Sequence, residues 1–169
     1  MGLLDVLSQY QQPPYRPPPQ IFDDFDQVAR EADPDDIGYG LEEAFNSDET
    51  PPAEEMIGQL YDRSDNDTRA ALLNEILGSM GGGALGAAGG GALGGLLQRF
   101  GGRNRISPHE VRDIAPRDIE AAAAQAAKQN PSLIQKVSRF YARHPQVVHT
   151  LGQAALGILM SGMARRRRM

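Results

Sequence analysis

The sequence predicts an all-α fold, and two features support that prediction. The first is a recurring pair in which proline follows a residue of capping or extended preference. Such a pair is typical of a helix start, because proline fixes φ near the helical value and lacks only an amide that would be unpaired there. The pairs are Asp33-Pro34, Thr50-Pro51, Ser107-Pro108, Ala115-Pro116, Asn130-Pro131 and His144-Pro145. The second is apolar spacing of three and four residues, with no alternation of period two long enough for a strand.

Composition divides the chain into five segments. Residues 1–20 hold a short amphipathic peptide and a proline-rich spacer, and residues 21–77 form an acidic helical domain. Residues 78–102 are rich in glycine, residues 103–143 form basic helical hairpins, and residues 144–169 form a hydrophobic helix with an arginine tail. Four apolar stripes predict the helices of the acidic domain. They are Phe22, Phe25, Val28 and Ala29; Ile37, Leu41, Ala44 and Phe45; Met56, Ile57, Leu60 and Tyr61; and Leu73, Ile76, Leu77 and Met80.

Charge is distributed unevenly along the chain. Residues 1–76 contain 18 acidic and 4 basic residues, whereas residues 77–169 contain 4 acidic and 13 basic residues. The net charge of −5 therefore conceals an acidic half and a basic half. Such a chain can fold one half onto the other, pair head to tail with copies of itself, offer its basic half to an anionic partner, or leave both halves solvated.

The most specific feature is a tandem repeat of eight residues. GGGALGAA at 81–88 is followed by GGGALGGL at 89–96, within an uncharged stretch over residues 76–98. Glycine recurs at every fourth position, at Gly78, Gly82, Gly86, Gly90 and Gly94. Glycine costs about 1 kcal/mol per helical position relative to alanine, and close approach of another helix compensates that cost. We therefore predict that these five glycines pack against a helix; the alternative is a flexible linker between the acidic and basic halves.

A second apolar stretch, residues 144–164, carries no formal charge and predicts a long helix from residue 145. Four arginines follow it: Arg165, Arg166, Arg167 and Arg168. Cations suit the end of a helix, and these side chains are candidates for contact with anionic lipid or phosphate. Residues 76–98 and 144–164 are each long enough to span a bilayer, although the basic residues after both allow at most one to cross comfortably. A buried helix in an oligomer explains residues 144–164 equally well.

No catalytic constellation is recognisable, so we expect no enzymatic activity. The glycine run lacks the Lys-Ser/Thr ending of a phosphate-binding loop, and neither a His-Glu-x-x-His pair nor a GxSxG elbow occurs. The chain has no cysteine and three scattered histidines, and Asp62, Asp65 and Asp67 lack the glycine and glutamate of a calcium loop. We expect no metal, no cofactor, no small-molecule substrate and no specific recognition of nucleic acid.

Three elements stand in order between residues 70 and 115. They are Leu72-Leu73-Asn74-Glu75-Ile76-Leu77-Gly78, a run rich in glycine and leucine, and Ile106-Ser107-Pro108-x-Glu110-Val111. This order resembles the YidB-like family of small bacterial proteins. The resemblance implies a bacterial source and homo-oligomerisation, and it carries no catalytic or binding residues.

The glycine register and the two charged halves favour a non-enzymatic, self-assembling structural or scaffold protein whose partner is itself. We expect it in the bacterial cytoplasm or on the inner face of the cytoplasmic membrane. The alternative is a peripheral or single-span membrane protein, anchored on an anionic surface by the glycine-rich or C-terminal helix and the arginine tail.

Overall fold

Helices form the secondary structure of the chain in a computed structural model, which describes residues 2–10, 19–79 and 106–168. Over these ranges there is no strand, which confirms the all-α prediction. The α-helices are α1 (Leu3–Ser8), α2 (Ile21–Glu31), α3 (Pro34–Phe45), α4 (Ala53–Arg63), α5 (Asn66–Ser79), α6 (Pro116–Gln129), α7 (Leu133–Ala142), α8 (Pro145–Val148) and α9 (Gln153–Arg168). Short 3-10 helices span Glu110–Asp113 and His149–Leu151.

The predicted proline starts lie at or just before observed helices. Pro34, Pro116 and Pro145 are each the first residue of an α-helix. After Pro51, Pro108 and Pro131 the helix begins two residues later. At the start of α3, the Asp33 carboxylate accepts a hydrogen bond of 3.0 Å from the Asp35 amide, as expected of an N-cap residue.

The continuous helix predicted from residue 145 is wrong. α8 ends at Val148, a 3-10 turn follows, and Gly152 has φ +98° and ψ 173° before α9 begins. This backbone conformation is accessible essentially to glycine alone, so the chain breaks at the one residue that tolerates it. Among the helices of the described ranges, none combines the length and apolar character that a membrane crossing requires.

The chain forms two compact units, and the first combines residues 1–52 with residues 138–169. α9 packs most extensively against α3 and also contacts α1 and α2. Besides glycines, its buried residues are Ala155, Leu156, Leu159, Met160, Ser161, Met163 and Ala164. The stripes predicted for α2 and α3 supply much of the remaining core, through Ile37, Leu41, Ala44 and Phe45 and through Phe25 and Val28.

The second unit comprises residues 53–137, and α4 against α6 is its main contact. A Cβ atom on Gly58 would collide with the Glu120 side chain, so glycine permits this close approach. The Tyr61 hydroxyl donates to the carbonyl oxygens of Val111 (3.1 Å) and Ile114 (3.3 Å). Burial raises the pKa of Tyr61 to about 12.

Two residues of α5 form hydrogen bonds with other parts of the second unit. Arg69 donates to the carbonyl oxygens of Tyr61 (2.9 Å) and Asp62 (2.8 Å), so it caps the end of α4. The Asn74 amide group bonds both to the Ile106 amide (2.8 Å) and to the Ile106 carbonyl oxygen (3.2 Å). Asn74 and Ile106, which precede and follow the range 80–105, are therefore joined within the second unit.

The five predicted segments are not the compact units. The predicted acidic segment, residues 21–77, contributes α2 and α3 to the first unit and α4 and α5 to the second. Residues 144–169 belong with the first unit, although the second unit, residues 53–137, lies between them and residue 52 in the sequence.

Candidate helix-docking site between α3 and α9

Two glycines bring the backbones of α3 and α9 together. A Cβ atom on Gly40 would collide with the carbonyl oxygen of Leu159 and would lie 3.0 Å from Met163 Cγ. A Cβ atom on Gly162 would lie 3.2 Å from Gly40 Cα and 3.1 Å from Glu43 Cγ. Real Cβ atoms essentially never lie as close to another atom as the Gly40 position does to the Leu159 carbonyl oxygen, and the contacts at 3.0–3.2 Å are tighter than most real Cβ contacts. The two helices therefore meet with no side chain between them at this point, which small residues alone permit.

Three arginines at the end of α9 pair with two acids of α3. Arg166 Nε lies 3.1 Å from one Asp36 carboxylate oxygen, and Arg167 Nη2 lies 3.0 Å from the other. Arg165 Nη2 lies 2.8 Å from Glu43 Oε2. We call these five residues the arginine clamp. Because one carboxylate receives two guanidinium groups on separate oxygens, the clamp fixes the rotation of α9 about its own axis as well as its distance from α3.

Further contacts hold Arg166 in place. Its Nη1 donates to the Asp35 carbonyl oxygen at 3.2 Å. Its guanidinium carbon lies 5.4 Å from the centre of the Tyr39 ring, within range of a cation–π interaction. Arg166 thus meets a carbonyl, a carboxylate and an aromatic ring on a single helix, which a lysine could not reproduce.

The electrostatics of the clamp agree with the helix dipoles. Asp36 lies in the first turn of α3 and the arginines lie in the last turns of α9, so these four charges are at the helix ends that stabilise them, whereas Glu43 lies in the last turn of α3. The Asp36 side chain is 15% exposed, whereas those of Arg165, Arg166 and Arg167 are 31–44% exposed. Pairs of this exposure contribute about 0.2–1 kcal/mol each, so the clamp adds more orientation than stability.

Hydrogen bonds also join α9 to Tyr10, which follows α1, and join α1 and Tyr10 to α2. The Ser161 hydroxyl of α9 donates to the Tyr10 carbonyl oxygen at 2.6 Å. The Tyr10 hydroxyl in turn donates to Asp24 Oδ2 at 2.5 Å, and the Leu3 amide donates to Glu31 Oε2 at 3.1 Å. α1, α2 and α3 together therefore form a cradle that receives α9.

The predicted helix-packing glycines are only partly described. Gly78 lies in the last turn of α5, is exposed, and has no atom within 4 Å of a Cβ position. Gly82, Gly86, Gly90 and Gly94 lie outside the described residues. The four-residue register therefore stays a prediction.

The predicted anion-contacting arginines lie at the end of α9. Carboxylates of the same chain pair with Arg165, Arg166 and Arg167. Arg168 is the last residue of the helix, and its side chain is not among those described. Of the alternatives that the charge distribution left open, this pairing corresponds to folding basic residues onto acidic ones.

Sequence reasoning missed the residues that receive α9. Asp36 and Glu43 are seven residues apart and so lie on one face of α3, a spacing that signals a charged stripe but not its partner. Gly40 sits between the predicted core positions Ile37 and Leu41, where an interior glycine is unfavourable unless a close contact requires it.

The described ranges contain no group of three acidic or histidine side chains arranged to hold a metal ion. Over the same ranges, each buried side-chain nitrogen or oxygen has a hydrogen-bond partner. No family model, curated protein or solved structure matches the chain. The resemblance to the YidB-like family therefore stays a prediction, and function must be argued from the helix-docking site itself.

Proposed function

We propose that this chain is a non-enzymatic, self-assembling structural or scaffold protein that acts through helix packing. The observation that supports the proposal is the contact between α3 and α9. Gly40 and Gly162 make it close, and the arginine clamp makes it directional. Two segments more than 100 residues apart thus recognise each other by shape and by charge.

Recognition of this kind does not depend on covalent connection. α9 presents apolar residues to three helices of the cradle, and apolar residues of the cradle are buried in the unit that contains α9. Every copy of the chain carries both partners, so the same complementarity is available between copies as within one. Self-association that reuses an intramolecular contact is a common route to symmetric oligomers.

Association with an anionic membrane has less support from the described residues. Arg165, Arg166 and Arg167 already have carboxylate partners, and the apolar residues of α9 are buried. Leu4, 63% exposed, is the one large apolar side chain that is exposed in the described part of the chain. A single leucine contributes about 1.5–3 kcal/mol on burial, too little for stable anchoring.

Size-exclusion chromatography with light scattering tests the proposal. We expect the purified chain to form an oligomer of defined stoichiometry. The fraction of the protein in this oligomer should increase as the protein concentration is raised through the micromolar range. Gly40→Leu forces α3 and α9 apart, so this variant should lose this oligomer. Ala154→Leu is the matched control, because Ala154 lies in α9 and is exposed, so assembly should persist. A wild-type chain that remains monomeric at every concentration and salt condition would refute the proposal.

Flotation with anionic and neutral vesicles tests the membrane alternative on the same preparation. We expect the wild-type chain to remain in the dense fraction with both. Binding to anionic vesicles that disappears in a variant with Arg165, Arg166 and Arg167 all changed to Gln would establish the alternative, because that variant retains side-chain length but not charge.

A further inference from the structure

We infer that copies of the chain link by exchanging α9, so that the α9 helix of one copy occupies the cradle of another. This inference rests on the proposed function and names its partner and contact surface. The cradle is formed by α1, α2 and α3, and its occupant is residues 153–168 of a second copy.

The connectivity of the first unit favours exchange. Residues 1–52 and 138–169 fold together, and the intervening residues 53–137 form a unit of their own. The path along the sequence from the cradle to α9 thus runs through the second unit, and α9 itself follows residues 138–151 of the first unit across Gly152. Exchange moves α9 to an identical cradle and preserves its contacts with α1, α2 and α3, whereas its less extensive contacts with the 3-10 helix His149–Leu151 of its own chain are lost, so its energetic cost is small.

The burial of α9 identifies the occupant of a second copy's cradle as another α9. A vacated cradle would expose Ile37, Leu41 and Phe45, and a released α9 would expose Leu159 and Met163, all of which are buried. Neither surface is stable alone in water. A surface that fits the cradle must also carry a glycine opposite Gly40 and cations opposite Asp36, and α9 carries both.

Gly152 provides the hinge. Its φ of +98° separates the 3-10 helix His149–Leu151 from α9, and no atom lies within 4 Å of its Cβ position. Space around this residue is therefore open, and a change of φ there would move α9 as a body. On the far side, His149 remains anchored to α2, since its ring lies 5.0 Å from that of Phe22 and its Nε2 lies 3.8 Å from Asp26.

Closure within one chain competes with exchange. An attached α9 reaches its own cradle at an effective concentration on the order of millimolar, so the exchanged form should grow with protein concentration and equilibrate slowly. Oligomers formed at high concentration should consequently persist for some time after dilution.

A disulfide trap tests the exchange, because the chain has no cysteine of its own. A Cβ atom on Gly162 would lie 3.3 Å from Glu43 Cβ, close to the separation that a disulfide requires. One chain carries Glu43→Cys and a second carries Gly162→Cys; the two are mixed at high concentration, equilibrated and oxidised. We expect a covalent heterodimer on a non-reducing gel. Glu43→Cys mixed with Ala154→Cys is the matched control, since Ala154 is exposed and lies about 12 Å away along α9.

A locked variant carries Glu43→Cys and Gly162→Cys in one chain and is oxidised while dilute. Its α9 cannot leave its own cradle, so we expect it to lose the oligomer peak and to regain it after reduction. Oligomers that persist with the disulfide closed would overturn the exchange and leave the proposed function standing. Wild-type chains that are monomeric would overturn the proposed function, and the covalent heterodimer would then decide the exchange alone.

Charge reversal provides a second pair of variants in case cysteine at position 162 disrupts the helix contact. One chain carries Asp36→Lys and Glu43→Lys, and the other carries Arg165→Glu, Arg166→Glu and Arg167→Glu. Each chain repels its own α9, but reciprocal exchange restores the native ion pairs in one cradle and places opposite charges together in the other. We expect a one-to-one complex after the two are refolded together, and no complex would overturn the exchange.

Discussion

Gly40→Ala and Gly38→Ala form a matched pair that tests the docking site. Both glycines lie inside α3, so both substitutions remove the same helix penalty, about 0.5–1 kcal/mol. A Cβ atom at Gly38 would meet Arg139 Cα at 3.6 Å and Ala142 Cβ at 3.7 Å, which are ordinary contacts. We therefore expect Gly38→Ala to stabilise the first unit by up to about 1 kcal/mol.

Gly40→Ala should have the opposite sign. The obstacle to its Cβ atom is the Leu159 carbonyl oxygen, which is backbone and cannot rotate away as a side chain would. Overpacking of this kind costs about 3 kcal/mol at the upper end of the usual range, and the helix gain offsets about 1 kcal/mol. We expect a net loss of about 2 kcal/mol, and so a difference of about 3 kcal/mol between the two variants.

Urea unfolding followed by circular dichroism measures both values against the wild type. Hydrogen exchange of α3 and α9 amides then shows whether the loss in Gly40→Ala is located at this contact. If both variants are stabilised equally, α3 and α9 do not approach each other closely, and the reasoning that leads from the glycines to the docking site is refuted.

Three further predictions concern the hinge and the second unit. Gly152→Ala should destabilise the closed monomer by about 1–3 kcal/mol and raise the oligomer fraction in light scattering, because alanine does not tolerate φ +98°; an unchanged fraction would argue against this hinge. Burial raises the pKa of Tyr61, so folding favours its protonated hydroxyl. The stabilisation that results is complete below pH 10 and is lost as the pH rises towards 12. Urea unfolding across that interval should show a smaller loss of stability in Tyr61→Phe than in the wild type. Asn74→Ala should lower the free energy of unfolding by about 1–2 kcal/mol and speed hydrogen exchange of the Ile106 amide, since both hydrogen bonds to that residue disappear. Mass spectrometry or NMR measures the exchange, and equal rates in variant and wild type would contradict the role of these hydrogen bonds.

The sequence alone determined the local structure of this chain. Capping and apolar periodicity depend on neighbours within one or two turns, so Asp33-Pro34 located the start of α3 and the stripe from Ile37 to Phe45 identified its buried face. The same local rules placed the arginines at the end of a helix that suits their charge. They also predicted one continuous helix from residue 145 where the chain has a break, because a run of apolar residues does not reveal that Gly152 adopts a positive φ.

Only the tertiary structure decided which helices belong together. Residues 21–77 show a uniform acidic and amphipathic pattern, yet α3 joins α9 in one unit while α4 joins α6 in the other. The roles of Gly40, Asp36 and Glu43 emerge only when Gly162 and the arginines of α9 lie opposite them. Apolar burial is non-directional, so an apolar stripe specifies that a face is covered and not by what. The partner is selected by the fit of two backbones and the position of a few charges, which exist only once distant parts of the chain have met.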